Sequence, residues 1–236
     1  MKKRLLASLM AAVMVLTMLP ATALASETDP FGYDYDRDSD GVNDSWNVSA
    51  EGGENTVYAY LMSNEHTIEA TYGKVIDLAP GYTLHVDGTG AMKDYAKNST
   101  AATTDKPIYT SAPWWTTSVL STETIDADGT AYDGTYLTGI TKIVVGSGIT
   151  RIGSSAFSFM RDVTEVEIAN TVTSIGDRAF MYNYSLESID FPDSVVMNTL
   201  AGSNEDKDGE LLVGHSPNLK TVTLGSGFTV IPCRAF

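Results

Sequence analysis

Between Leu137 and Phe236 the apolar positions recur in one pattern four times. Ile143, Val145, Ile149, Ile152, Ala156 and Phe157 reappear 23 residues later as Val166, Ile168, Val172, Ile175, Ala179 and Phe180. Ile189, Phe191 and Val195 open a third copy after a further 23 residues. Val222, Leu224, Phe228, Ile231, Ala235 and Phe236 make the fourth, offset by 33, one period plus ten inserted residues. A fixed period in the twenties marks a solenoid, in which each repeat buries its apolar side only against its neighbours. Within a copy, Val166-Glu-Ile168 and Val222-Thr-Leu224 alternate apolar and polar side chains, which predicts a short strand with one wet face. A corner follows at Gly146–Gly148, Ala169–Thr171, Pro192–Ser194 and Gly225–Gly227, residue types that suit turn dihedrals. The second half, Ile-x-x-Ile with Ala-Phe close behind, predicts another extended segment and then a one-turn helical or 3₁₀ piece. Phe157 and Phe180 are expected to point inward beside small alanines.

The phrase from Ile149 to Phe157, repeated from Val172 to Phe180, is similar to the BspA-type leucine-rich repeat of bacterial surface proteins. That family often carries a Cys soon after the Ala-Phe pair; here Met160, Asn183 and Ser216 stand at those positions. The resemblance implies a mainly β fold, a leucine-rich-repeat solenoid over 137–236. It also implies a non-catalytic role in binding or adhesion at a cell surface.

Ahead of the repeats, residues 46–136 have a different texture. Val57–Leu61, Thr67–Thr71 and Tyr82–Val86 are β-branched and aromatic runs parted by Gly, Asn and Pro, which predicts a small antiparallel sheet. The stretch Tyr82–Tyr95, followed by Ala112-Pro-Trp114, resembles the region that precedes BspA-type repeats and is expected to cap the apolar end of the first coil. Lys97–Thr110 and Ser121–Gly134 are polar and are expected to be loops.

At the start, Lys2, Lys3 and Arg4 precede an uncharged run from Leu5 to Leu19, then Pro20 and the small residues Ala23 and Ala25. Residues 1–25 therefore read as a secretory signal peptide, its apolar run of 15 being short for a membrane span of roughly 20. The chain carries a net charge of −15, about −18 once the leader is removed. That balance excludes nucleic acid and anionic membrane surfaces as partners. A single cysteine, Cys233, allows no internal disulfide.

Residues 26–45 form an acidic linker that contains Asp36, Asp38, Asp40, Gly41, Val42 and Asp44. Carboxylates at the first, third, fifth and ninth places around a glycine at the sixth match the opening of a calcium loop, where alternate oxygens fold onto a hard cation. It resembles the loops of thrombospondin type 3 and dockerin repeats, except that Asn47 stands where those favour an acid. A solvated acidic spacer is the other reading, so calcium is the one cofactor the sequence suggests.

Catalytic constellations are not evident. His66, His85 and His215 are widely spaced, and no Gly-x-Ser-x-Gly elbow occurs. The Gly-Ser-Gly corners at 146–148 and 225–227 recur in equivalent repeats and are read as turns. His85 is expected to be an exposed strand residue, and Trp114 to be buried under the first coil although both it and Trp115 have the chemistry to stack on a sugar. What remains is the outer strand face: Lys142 and Val144, Glu165 and Glu167, Ser188 and Asp190, Thr221 and Thr223. In this register Glu167 is expected beside Asp190, a like-charge pair that suggests an acidic patch for a cationic partner; a plainly solvated face is the alternative. The insertion at Asn198–Asp208 is expected to project from the far side.

Two functions follow: a secreted or surface adhesion module for an extracellular protein or glycan, or the targeting or carbohydrate-binding portion of a larger secreted enzyme. The fourth copy stops at Ala235-Phe236 within its motif, which suggests an N-terminal piece of a longer chain, the rival being a dimer contact aided by Cys233. If the Asp36–Asp44 loop binds calcium, the ion will raise protease resistance near residue 40. A calorimetric titration that yields no heat makes the segment a spacer.

Overall fold

Alternation sets the architecture. Val57, Ala59 and Leu61 are buried in alternation, as are Ile143 and Val145, so one face of the sheet seals a core and the other meets solvent. A computed structural model describes residues 33–35, 44–50, 56–64, 81–95, 111–117, 120–125, 134–196, 212–231 and 235–236. The expected leader, the Thr67–Thr71 strand, the Lys97–Thr110 loop, the Asn198–Asp208 insertion and Cys233 lie outside the described residues.

The strands are β1 (Trp46–Asn47), β2 (Val57–Ser63), β3 (Tyr82–Gly88), β4 (Gly90–Ala91), β5 (Ser121–Ile125), β6 (Gly134–Thr138), β7 (Ile140–Val145), β8 (Ile149–Ile152), β9 (Glu165–Ile168), β10 (Ser174–Ile175), β11 (Ser188–Asp190) and β12 (Thr221–Thr223). A five-stranded sheet runs β1-β2-β3-β7-β9, antiparallel from β1 to β3 and parallel from β3 to β9. The return segments make a three-stranded sheet, β10-β8-β4, also parallel. β11 pairs with β12 in parallel as a separate sheet. The repeats are thus a mainly β solenoid of front strands, corners and return strands.

The segment 82–92 is itself shaped like a coil. β3 registers Leu84 on Ile143 and Val86 on Val145, and β4 registers Gly90 on Ile149. The last residues of this leading coil are tied down by Asp94, whose Oδ1 accepts from Ser154 N at 2.6 Å and from the Arg151 guanidinium at 2.7 Å. Partial burial works against the charge on Asp94, but those two donors outweigh it and hold the carboxyl below the usual aspartate range.

Two expectations are corrected. Ser121–Ile125 and Gly134–Thr138 are antiparallel strands, Thr122 opposite Leu137, where the Asp/Gly-rich composition of Ser121–Gly134 suggested a loop. The Thr-rich flanks, with Tyr136 and Leu137 fully buried, carry the β signal that the intervening glycines masked. After the return strands β8 and β10 the chain makes hydrogen-bonded turns, without the helical or 3₁₀ piece. Ser155 and Phe159, and their equivalents Arg178 and Tyr182, have φ of 54 to 60°, which no right-handed helical turn accommodates.

The core is an aromatic column. Trp46 meets Trp114 edge-on, Trp114 stacks on Phe157 at 5.7 Å, Phe157 on Phe180 at 5.4 Å, and Phe191 and Phe228 continue it. A second column, Phe159 on Tyr182 at 4.4 Å and Tyr182 on His215 at 4.8 Å, runs through the left-handed positions. Ala156 and Ala179 are buried as expected, and Phe157 N donates across to Ala179 O at 2.8 Å. Asn183 replaces the family's cysteine: wholly buried, it accepts from Met160 N at 3.0 Å and donates to Phe180 O at 3.1 Å. Not every expected inward residue is covered. Val166, Ile168, Val222, Leu224 and Phe228 are half-buried, while Ile231 and Phe236 are 58% and 51% exposed.

Ile175 on β10 is buried and registers with Ile152 on β8. Ile175→Asp strands a charge there and is expected to cost more than about 3 kcal/mol, seen as a fall in melting temperature of about 10 °C. An unchanged melt contradicts this register.

Candidate functional site

The outer face of the five-stranded sheet is laid out in rows. One runs Tyr60–His85–Val144–Glu167 and another Met62–Thr83–Lys142–Glu165, each residue the direct partner of the next. A third pairs Asn47, Tyr58 and Asp87. Alternation turns these side chains away from the core that Val57, Ala59, Leu84, Val86, Ile143 and Val145 fill, although Thr83 is itself buried and bonds Asn64 Oδ1.

All eight residues predicted for the strand face are at outward positions. Lys142 and Val144 are half-buried, and Glu165, Glu167, Ser188, Asp190, Thr221 and Thr223 are exposed. The structure brings Lys142, Val144, Glu165 and Glu167 together in one sheet. Ser188 faces Thr221, and Asp190 faces Thr223, in the other. β9 and β11 lie side by side, but no ladder joins them, so Glu167 and Asp190 are not a ladder pair. Glu167 instead shares Lys142 with Glu165: the ammonium lies 2.8 Å from Glu165 Oε1 and also bonds Glu167 Oε1. Direct and diagonal cross-strand neighbours are both within reach of a long side chain, which explains the fork. These bonds raise the Lys142 pKa and lower that of Glu167.

Sequence reasoning missed the aromatic half of this face. Tyr35 stacks on Tyr58 with ring centroids 6.1 Å apart, Tyr58 on Tyr60 at 6.3 Å, and Tyr60 on His85 at 5.1 Å with the rings within 9° of parallel. The Tyr60 hydroxyl donates to Asp87 Oδ2 at 2.8 Å. The alternation Val57-Tyr-Ala-Tyr-Leu61 carried the signal, but the parallel pairing of β3 with β7 that aligns this strip with Val144 and Glu167 did not show in either segment alone. His85 is half-buried under Tyr60 and is not fully exposed. Burial lowers its pKa from 6.5, aided by the Lys142 ammonium and opposed by Asp87 and Glu167.

Trp114 and Trp115 are both buried, which removes them as a sugar platform. The Gly-Ser-Gly corners are turns that spend N–H groups on neighbouring coils: Gly148 N donates to Thr171 Oγ1 at 3.1 Å and Ser226 N to Asp193 Oδ1 at 2.6 Å. Of the suggested calcium ligands, Asp36, Asp38, Asp40 and Val42 lie outside the described residues. Asp44 is described, and the ends of that loop are pinned by backbone bonds between Tyr35 and Ser45. Among the described residues no group of three or more His, Cys, Asp or Glu converges as a metal site, and no helix is long and apolar enough to cross a membrane.

Fold and face together define a β-solenoid whose strand sheet extends without a break into its leading coil. Residues 132–200 match the family model of the BspA type leucine rich repeat region in 6 copies. A solved leucine-rich repeat protein from Eubacterium ventriosum is similar at 21% identity over 63% of this chain, with a TM-score of 0.29; the match spans 42% of that protein. No curated protein matches the sequence.

His85 sets a pH dependence. Because its folded pKa is lowered, the unfolded chain binds the extra proton first, so its contribution is full above pH 6.5 and is lost as pH falls through the folded value. The melting temperature is expected to decline on acidification through the histidine range, and His85→Gln to flatten that decline. An NMR titration placing the His85 pKa at or above 6.5 contradicts it.

Proposed function

We propose that the chain is an exported, surface-associated, non-catalytic module that binds an extracellular protein through its strand face. Repeat regions of this class typically bind proteins and are usually surface-associated, and the leader read at residues 1–25 supplies the route. The observation that carries the reading is the sheet itself. Five strands present one unbroken outer face, formed by β1 to β3 together with Lys142, Val144, Glu165 and Glu167 of the repeats. Ser188, Asp190, Thr221 and Thr223 extend the surface on the second sheet. A rigid, flat array of half-buried and charged side chains suits a protein partner, with apolar Val144 at its centre and ion-paired glutamates at its rim.

In organisation, residues 26–45 serve as an acidic linker, 46–136 as the cap and 137–236 as the solenoid, with calcium at Asp36–Asp44 a further proposal. Val144→Arg places a long cation at the middle of the face, where its stem can lie on the sheet without entering the core. Beads coated with this variant are expected to lose at least about tenfold of their adhesion to immobilised extracellular proteins, with an unchanged melt. Equal adhesion of the two forms removes the strand face from the function.

A further inference from the structure

The face is chemically lopsided. Toward β2 it is aromatic, with Tyr35, Tyr58, Tyr60 and His85 in one continuous series of ring contacts. Toward β9 it is anionic, with Glu165 and Glu167 against one ammonium, Lys142, which already bonds both; a further acid, Asp87, lies on β3 beside the aromatic series, where it accepts from the Tyr60 hydroxyl. An ionised carboxylate has about four lone-pair sites, so the bonds from Tyr60 and Lys142 leave each acid able to accept from a further donor.

We infer that this face takes an extended, Lys- or Arg-bearing polypeptide segment lying across the strands. Its cationic heads meet Asp87, Glu165 and Glu167, and its side-chain stems lie along Tyr58, Tyr60 and His85. The inference rests on the reading of the strand face as a protein-binding surface and adds the partner's chemistry. Three considerations favour a basic polypeptide. Lys and Arg have an apolar stem beneath a charged head, and a guanidinium also stacks on aromatic rings, so one residue type satisfies both halves of the face. A chain of net charge −15 steers cations toward it and repels acidic peptides and anionic polysaccharides. The dimensions agree as well: from β2 to β9 is three strand spacings, about 14 Å, the length of roughly four extended residues.

The test is calorimetric, on the whole chain, with synthetic peptides of about twelve residues. One carries Arg at every third place, one Glu at those places, and a neutral oligosaccharide is the third probe. The Arg peptide is expected to bind, to weaken with added salt, and to lose at least about tenfold in affinity with Glu167→Gln or Asp87→Asn. Tyr58→Ser is expected to do the same, and Asp177→Asn, beyond the return strand β10, to change nothing. Should Tyr58→Ser or Asp87→Asn lower the melt, Glu167→Gln, an exposed side chain, carries the test alone. Equal binding of the Glu peptide, equal loss with Asp177→Asn, or preference for the oligosaccharide overturns the basic partner. If no peptide binds while Val144→Arg still abolishes adhesion, the partner's chemistry is wrong and the strand-face reading stands. If adhesion ignores Val144→Arg, the reading beneath it has failed as well.

Discussion

A coil in this solenoid cannot complete its own backbone hydrogen bonding, and each turns to the coil beside it for that. Phe157 N goes to Ala179 O, Phe159 N to Met181 O, Thr173 N to Thr150 O, Gly176 N to Ile152 O and Val196 N to Thr173 O. The bonds repeat because the sequence repeats, and they force neighbouring backbones so close that side chains must be chosen for it. A Cβ at Gly153 would collide with the carbonyl oxygen of Lys93, and one at Gly176 with the backbone of Ser154. The same closeness sets phenylalanine on phenylalanine. It also gives Asn183 its role, since a buried amide that both donates and accepts closes the two backbone groups the turn leaves over.

The leading coil obeys the same constraint with unlike residues. Gly90 and Ala91 stand where the first repeat has Ile149 and Arg151, yet Gly90 N still donates to Gly148 O and Met92 N to Arg151 O. Its far side is closed by Trp46 and Trp114 and by the antiparallel strands β1 and β2. An antiparallel neighbour can satisfy a strand edge without matching the solenoid's period, which is what a cap requires.

This explains what could be read in advance. Phe157, Phe180, Ile152 and Ala179 announced the repeat because a 23-residue period written in identical residues is visible by inspection. The inward or outward sense of Lys142, Val144, Glu165 and Glu167 followed from strand alternation alone. Pairing between unlike segments was not legible. The alignment of His85 with Val144 depends on a register about 59 residues apart with no repeated letters to show it, and the aromatic strip came into view only with that register. The break in the ladder between β9 and β11 was hidden for the opposite reason: the apolar period continues smoothly through Val166 and Ile189 although the ladder does not. The left-handed φ of Phe159 and Tyr182 was concealed too, because aromatic residues rarely adopt it and do so here where their rings stack.

The coil-to-coil bonds also fix how the molecule responds to pulling. They lie along the solenoid axis, so tension on that axis bears on one interface at a time and does not shear all of them at once. A coil that peels away surrenders about 5 Å of stacked length and releases 23 residues of chain, about 75 Å when drawn out. The repeats would therefore lengthen in steps, dissipating work at each while the remaining coils keep their shape, and would regain their stacking when the load falls.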